Sequence, residues 1–181
     1  MKKWIALSAI GKDQPGIVAA LTKVFYDYGC NLEDSSMTRL KGDFAILLLI
    51  SLPDSLSPPD LQTAIEPVAR QWSLTFSIRT LVEAERTALV SSDLPYTLVV
   101  YGLDHPGIVY RVTQAAAAQG MNITDLRTHV TESKGTPLYS LVVDLDVPDV
   151  KTAQLFMKDL NILKNELKVE ITFQPLEADE L

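Results

Sequence analysis

Apolar and polar positions along the first half of the chain follow two spacings, which predict a sheet covered by helices. Short apolar runs such as Trp4–Ile10, bounded by turn residues, predict strands, whereas apolar residues three and four apart between Ile17 and Tyr28 predict a helix. Gly29 follows that helix as a C-terminal glycine. The pattern gives strands at 4–10, 31–40, 44–52 and 74–82, and helices at 15–28 and 61–72.

The second half repeats this order of elements. It predicts strands at 96–101, 122–132, 138–147 and 167–173, and helices at 106–119 and 150–163. Each half therefore has the order βαββαβ, the ferredoxin-like split βαβ unit, in an α+β fold with antiparallel sheets. We expect a first domain at residues 1–85, a linker at 86–94, and a second domain at 95–181 that ends in a short acidic tail.

Two short motifs recur at one offset, which indicates that a single domain was duplicated. GKDQPGIV at residues 11–18 returns as GLDHPGIV at 102–109, and GCNLED at 29–34 returns as GMNITD at 120–125, both 91 residues later. Between Gly11 and Asp34, ten of 24 positions are identical in the second copy. The offset grows to 95 after the hairpin, which we attribute to a longer turn, TESKGTP, in the second copy.

The central strand of the first copy is apolar on both faces, since residues 44–50 are FAILLLI. In a ferredoxin-like sheet the helices cover one face, and strands that are wet on the other face normally alternate apolar with polar residues. We therefore expect an apolar body to cover the open face, either the other copy or a second chain in a homodimer. The alternative is a hydrophobic central strand that only its neighbours shield.

The first recurring motif brings groups that suit a free amino acid to the start of a helix. We expect Asp13 near the cap of the first helix and Pro15 in its first turn. The free N–H groups of a helix N-terminus bind carboxylates, and Gly16 and Gly107 let a ligand approach the backbone closely. Asp13 or Asp104 would then receive the ammonium group.

The second recurring motif lies at the far end of the same helix. Asn31 and Asn122 can both donate and accept hydrogen bonds. Fourteen helical residues at about 1.5 Å each separate the two motifs by roughly 20 Å within one copy. A site that uses both motifs must therefore combine the strand-to-helix turn of one copy with the helix-to-strand turn of another. The alternative is that these residues only cap helices and shape turns.

Composition and charge exclude several classes of function. The chain has 181 residues, a formal net charge of −7 and no basic cluster, so we do not expect direct nucleic-acid binding. The single cysteine, Cys30, excludes an intramolecular disulfide, and no apolar stretch approaches the roughly 20 residues of a membrane span. We expect a cytoplasmic protein. Because no nucleotide-binding loop, metal-ligand set or activated nucleophile is recognisable, we expect no enzyme activity and no cofactor.

D-x-P-G-I-V at the start of a helix, followed by G-x-N-[LI]-x-D within a βαββαβ unit, resembles the ACT domain, and two tandem copies span nearly the whole chain. The resemblance implies an amino-acid-binding regulatory module. A stand-alone pair of such domains resembles transcriptional repressors that act through a protein partner, such as a DNA-binding activator, with glycine or a similar small amino acid as effector. The alternatives are a regulatory subunit that gives a metabolic enzyme amino-acid feedback, and a dimerisation module without ligand.

The resemblance implies ligand contacts in both copies. They are Asp13, Pro15, Gly16, Ile17, Asn31 and Leu32 in the first copy, and Asp104, His105, Pro106, Gly107, Ile108, Asn122 and Ile123 in the second. The copies differ where Gln14 aligns with His105 and where Ala20 aligns with Arg111. It is therefore open whether both copies bind, or whether one binds while the other packs.

Overall fold

The computed structural model describes residues 3–82, 93–133 and 136–176, which fall into a first unit, Met1–Leu89, and a second unit, Val90–Leu181. The first unit contains β1 (Lys3–Lys12), α1 (Ile17–Asp27), β2 (Asn31–Leu40), β3 (Asp43–Leu52), α2 (Pro58–Gln71) and β4 (Thr75–Leu81). The second contains β5 (Leu94–Leu103), α3 (Ile108–Ala118), β6 (Asn122–Ser133), β7 (Thr136–Val147), α4 (Val150–Leu167) and β8 (Val169–Pro175). The predicted βαββαβ order is confirmed in both units.

Each unit is a four-stranded antiparallel sheet with two helices packed on it. The strand orders are β2-β3-β1-β4 and β6-β7-β5-β8. Alternate strand residues face the helices, so Ile5, Leu7 and Leu48 are buried in the core of the first unit. Leu98 and Val143 hold the positions of Leu7 and Leu48 in the core of the second unit, where the helix residue Phe156 is also buried. The predicted α+β fold with two ferredoxin-like sheets is confirmed.

The other face of β3 is apolar, as predicted for the central strand. Ala45, Leu47 and Leu49 alternate with the buried residues of this strand, and Leu47 is 54% exposed. In the ladder Leu47 pairs with Ser8 of β1 and Ser36 of β2, so polar neighbours flank it on both sides. The expected covering of this face by another copy or a second chain stays a prediction.

Glycine occurs near the end of β1 and of β5 because a side chain there would collide with the start of the last strand. A Cβ on Gly11 would lie 2.7 Å from Cδ2 of Leu74, and one on Gly102 would lie 2.8 Å from Cγ1 of Val169. Both distances are well inside van der Waals contact, which for carbon atoms is about 3.5–4.0 Å. Packing therefore favours glycine at the position that opens the first recurring motif, in both units.

The growth of the repeat offset has a different cause from the predicted one. β6 and β7 have 12 residues each, whereas β2 and β3 have 10 each, so the four extra residues lengthen the ladder of the second hairpin. The predicted end of α4 at residue 163 is also wrong. Leu163 and Leu167 continue its apolar face, and the helix therefore runs to Leu167, with the last strand starting at Val169.

Two predictions fall on parts of the chain that lie outside the described residues. They are residues 86–92 of the expected linker and residues 177–181 of the expected acidic tail. β5 begins at Leu94, the last position of the expected linker. Within the described ranges, no helix combines the length and the apolar character that crossing a membrane requires.

Candidate functional site

The turns from β1 into α1 and from β5 into α3 carry the first recurring motif, and each ends in a glycine with left-handed geometry. Gly16 has φ of +102° and Gly107 has φ of +101°, and each is the N-cap of its helix, with no hydrogen bond from a capping side chain. Such a φ favours glycine, because a Cβ would be strained there. The predicted placements of Asp13 near the cap and of Pro15 in the first turn are wrong, since the helix begins at Ile17.

Asp13 instead ties the first turn to the hairpin of its own unit. Its carboxylate accepts a hydrogen bond from Nη1 of Arg39 at 3.2 Å, and its N–H donates to the carbonyl of Gly42 at 3.0 Å. In the second unit, the N–H of Asp104 donates to the carbonyl of Pro137 at 3.3 Å. Both turns are therefore anchored on a hairpin, which fixes where the following helix starts.

The N-terminus of α3 has free backbone donors beside the β5–α3 turn of the second unit. The first hydrogen bond along this helix runs from the N–H of Arg111 to the carbonyl of Gly107, at 2.9 Å. The N–H groups of residues 108–110 consequently have no partner within the helix. These donors, together with the positive end of the helix dipole, favour an anionic group such as a carboxylate.

An open groove of about 480 Å³ lies beside this helix N-terminus. Its lining comprises the predicted residues Asp104, His105, Pro106, Gly107 and Ile108, together with Val109, Tyr110 and Tyr139. Tyr139 is 9% exposed, and burial raises the pKa of its phenol, whereas Tyr110 is 63% exposed. The groove thus combines one carboxylate and a helix N-terminus with two aromatic side chains.

His105 connects the β5–α3 turn to the end of α4. Its Nε2 lies 3.0 Å from the carbonyl oxygen of Leu167, and its Nδ1 lies 3.2 Å from that of Pro106. Because both partners are acceptors, the doubly protonated imidazolium satisfies both contacts. The hydrogen bond to Leu167, then that to Pro106, raise the pKa of His105. Desolvation opposes them to a smaller extent, and the charge of Asp104, the smallest effect, raises the pKa further. The turn therefore carries a side chain that favours positive charge.

The first unit covers the equivalent turn with its own side chain. A Cβ on Gly16 would lie 3.0 Å from Cη2 and 3.5 Å from Cζ2 of Trp72, the C-cap residue of α2. A Cβ on Gly107 would meet no atom within 4 Å among the described residues. With the repeat offset of 95, Leu167 takes the position of Trp72 in the second unit. The glycines of the two turns have the same backbone conformation, but different side chains lie near them.

The second recurring motif lies at the opposite end of each sheet, as its position after the helix predicted. Asn31 pairs with Ser51, which pairs with Trp4, whereas the first turn follows Lys12. Eight residues of strand separate Trp4 from Lys12, which is about 26 Å at roughly 3.3 Å per residue. Within one unit the two motifs are therefore apart, and their combination across copies stays a prediction. Asn122 has the same register in the second unit, opposite Asp146.

A β-bulge lies within the second recurring motif in both units. The ladder shifts by one residue between Leu32 and Asp34 in β2, and between Ile123 and Asp125 in β6. In the first unit the bulged residue, Glu33, accepts a hydrogen bond from Oγ of Ser51 at 2.5 Å. Leu32 is partly exposed, whereas Ile123 packs against the core of its unit.

Several residues around the turns escaped the sequence analysis. Tyr110 and Tyr139 line the groove but were not predicted as site residues. They stand where the first copy has Ala19 and Phe44. Trp72 was assigned only to a helical apolar face, yet its ring lies over Gly16. Aligning the aromatic residues of the two copies would have detected all three differences.

Metal-ligating side chains and the single cysteine are the remaining chemical features of the described residues. Within the described ranges, no three His, Cys, Asp or Glu side chains form a group that could hold a metal ion. Cys30 is partly buried, and burial raises the pKa of its thiol, which disfavours the reactive thiolate.

Comparisons with known proteins find a family match in the first unit and similar proteins over most of the chain. An ACT domain model matches residues 3–79. The glycine cleavage system transcriptional repressor of Escherichia coli (strain K12) is 28% identical over 135 residues, which is 72% of this chain and 68% of that protein. Among solved structures, an unknown protein from Galdieria sulphuraria has a TM-score of 0.83 at 28% identity, over 97% of this chain and 99% of its own. A protein assigned as a glycine cleavage system transcriptional repressor has a TM-score of 0.66 at 21% identity, over 97% and 98%, and supports the fold alone.

Proposed function

We propose, from the match of an ACT domain model to residues 3–79 and the repetition of the same fold in the second unit, that the chain is a regulatory protein that senses a free amino acid. The observation that carries the proposal is the groove at the N-terminus of α3. A free amino acid has a carboxylate for the N–H groups of residues 108–110 and an ammonium group for Asp104. His105, in its cationic form, adds to the attraction for the carboxylate.

Regulation through a protein partner is the second part of the proposal. The Escherichia coli relative is named a transcriptional repressor of the glycine cleavage system, and this chain carries a net charge of −7. A strongly acidic chain repels the phosphate backbone, so repression by contact with a DNA-binding activator suits it better than direct DNA binding. The alternative is a subunit that gives a metabolic enzyme amino-acid feedback. Neither role gives the chain a catalytic activity of its own.

Binding is tested by thermal unfolding of the full chain with each of the twenty amino acids. A ligand at 100 times its Kd stabilises a protein by about 2.7 kcal/mol. For a chain of this length we expect that to raise Tm by roughly 5–10 °C. Glycine, which the name of the relative suggests, is the first to try. If no amino acid at millimolar concentration raises Tm, the sensing proposal fails.

A matched pair of variants locates the site. Asp104→Asn removes the charge that would bind the ammonium group, and we expect it to weaken binding by about tenfold or more, as for a lost hydrogen bond to a charged group. Asp13→Asn makes the same change in the first turn, which Trp72 covers, and should leave the affinity within about twofold. The opposite result would move the site to the first unit.

The role of the partner is tested by affinity purification of the tagged chain, with and without the bound amino acid. A DNA-binding protein that the amino acid releases supports a repressor, whereas a metabolic enzyme supports the feedback subunit. A mobility-shift assay with promoter DNA at low salt is the control, and tight binding of DNA by the chain alone would contradict action through a partner.

A further inference from the structure

The outer side of α4 carries two large apolar side chains that lie away from the core of the second unit. Leu155 is 42% exposed and Ile162 is 58% exposed, whereas Phe156 on the inner side of the helix is fully buried. Seven positions separate the two exposed residues, so they lie on one side of the helix, two turns and about 10.5 Å apart. We call Leu155 and Ile162 the α4 ridge.

The corresponding helix of the first unit shows that the fold does not require this ridge. With the repeat offset of 95, the buried Leu61 of α2 takes the position of Phe156, so the inner sides of the two helices correspond. The ridge positions then hold Asp60 and Pro67, which are both exposed. Because α2 packs on its sheet without apolar residues there, packing within the unit does not account for the α4 ridge.

Charged residues border the α4 ridge, with opposite signs on its two sides. At about 100° per residue, Lys158 lies about 60° to one side of Leu155, and Asp159 lies about 40° to the other side. Lys151 extends the basic side, and Glu166 extends the acidic side. Lys158 forms no ion pair within the part of the chain that the structure describes, so its charge is available to another molecule.

An open groove of about 350 Å³ runs between α3 and α4 on the acidic side of the ridge. Ile162 forms part of its wall, and α3 contributes the small side chains of Ala115 and Ala118. Nε2 of Gln119 donates a hydrogen bond to Oδ2 of Asp159 at 2.8 Å, which holds this carboxylate in place. An apolar side chain of a second molecule can therefore enter the groove next to a fixed negative charge.

We propose that the outer side of α4 is a dimer interface, on which the α4 ridge of a second copy of this chain packs with the two helices parallel. Two-fold interfaces are the commonest in homo-oligomers, and they bring the same surface of both copies together. A two-fold axis along the helices sets the basic side of one ridge against the acidic side of the other. Lys158 of each copy then faces Asp159 of the second copy.

The signs of the charges select this arrangement over its alternatives. An axis perpendicular to the helices would make them antiparallel and would set basic against basic side and acidic against acidic side, which costs free energy. A surface that carries both signs around an apolar centre complements itself, which favours a second copy over a partner of one charge. The proposal does not depend on amino-acid sensing, since the α3–α4 groove and the groove at the N-terminus of α3 share no lining residue.

Analytical ultracentrifugation of the full chain at increasing concentration tests the proposal. A surface of this limited size binds weakly, so we expect a dimer Kd in the micromolar range. Ile162→Lys places a charge at the centre of the interface twice, once in each copy, and should raise Kd by about tenfold or more. A chain that stays monomeric up to millimolar concentration, or a variant that dimerises as tightly as the wild type, would overturn the proposal.

Met157→Lys is the matched control for the added charge. Met157 is an exposed apolar residue of the same helix, about 160° around the helix axis from Leu155. The same substitution there should leave the dimer Kd within about twofold. Far-UV circular dichroism and Tm verify that both variants fold. Equal losses of affinity for Ile162→Lys and Met157→Lys would contradict an interface at the ridge.

Two charge reversals test the parallel arrangement. Lys158→Asp sets acidic groups against each other across the interface, and Asp159→Lys does the same with basic groups, so each variant alone should dimerise about fivefold or more weakly. An equimolar mixture of the two variants should recover the wild-type affinity as a heterodimer, because every lysine then faces an aspartate. Antiparallel helices would not give this recovery, and its absence would overturn the proposal.

Discussion

Replacing the two N-cap glycines by alanine should destabilise the protein to different extents, although the glycines have the same backbone conformation. At Gly107 the cost is backbone strain alone, about 1–2 kcal/mol for a Cβ at positive φ, less the roughly 0.4–1 kcal/mol that alanine gains by restricting the unfolded chain. The expected net loss is about 1 kcal/mol. At Gly16 the new Cβ also lies 3.0 Å from Cη2 of Trp72. Overpacking of this kind costs at least about 1 kcal/mol more, so the total is about 2 kcal/mol.

Urea unfolding of the full chain without ligand measures both losses. Both tryptophans, Trp4 and Trp72, belong to the first unit, so tryptophan fluorescence follows that unit, whereas far-UV circular dichroism follows both. Gly16→Ala should shift the fluorescence transition. Gly107→Ala should shift the transition seen by circular dichroism. In thermal unfolding each 1 kcal/mol corresponds to roughly 2–4 °C of Tm.

The comparison between the variants decides whether the reasoning holds. Wild-type stability for Gly107→Ala would refute the left-handed turn. A loss for Gly16→Ala no larger than that for Gly107→Ala would refute the contact between Trp72 and the β1–α1 turn. The double variant Gly16→Ala/Trp72→Leu supplies a check, because removing the indole should reduce the extra cost of the alanine.

Three other perturbations test separate parts of the structure. His105→Gln should lower Tm more at about pH 6 than at about pH 8. The pKa of His105 is raised above its ordinary 6.5, so the stability that its charged form contributes is complete below 6.5 and is lost as the pH rises through the raised pKa. A difference in Tm between variant and wild type that widens with pH would contradict this. Phe156→Ala empties a fully buried position that meets Phe173 edge to face at 5.1 Å, and urea unfolding should give a loss of about 3–5 kcal/mol. Arg39→Ala removes an exposed ion pair with Asp13, and the same assay should give less than about 1 kcal/mol.

The order of elements was predictable because it depends on local periodicity. Apolar residues recur at helical spacing in both halves, so the elements predicted in one half supported those predicted in the other. The bounds were less certain where a non-local contact decides them. Leu167 extends α4 by a turn because it packs against the core of its unit, and the extra residues of the second hairpin continue a ladder instead of a turn.

The sequence predicted which turn belongs to the candidate site, but it did not predict which side chains from other elements contact that turn. The motif identified the turn from Asp104 to Gly107, which lines the groove. The ring over Gly16 comes from Trp72, a residue 56 positions away whose spacing fits a helical core face equally well. Which of the two turns Trp72 or its counterpart contacts therefore depends on tertiary packing, which the local motif does not determine.

The bulges in β2 and β6 limit what the outer edge of each sheet can pair with. A regular edge strand offers an unbroken row of N–H and C=O groups, to which strands of other molecules can add without end. β2 is exposed at all ten positions, so its hydrophobic pattern does little to prevent a register slip. The extra residue at Glu33, held by Ser51, interrupts the row and pins the register at once. Deleting Glu33 would restore a flat edge and, with it, a template for aggregation.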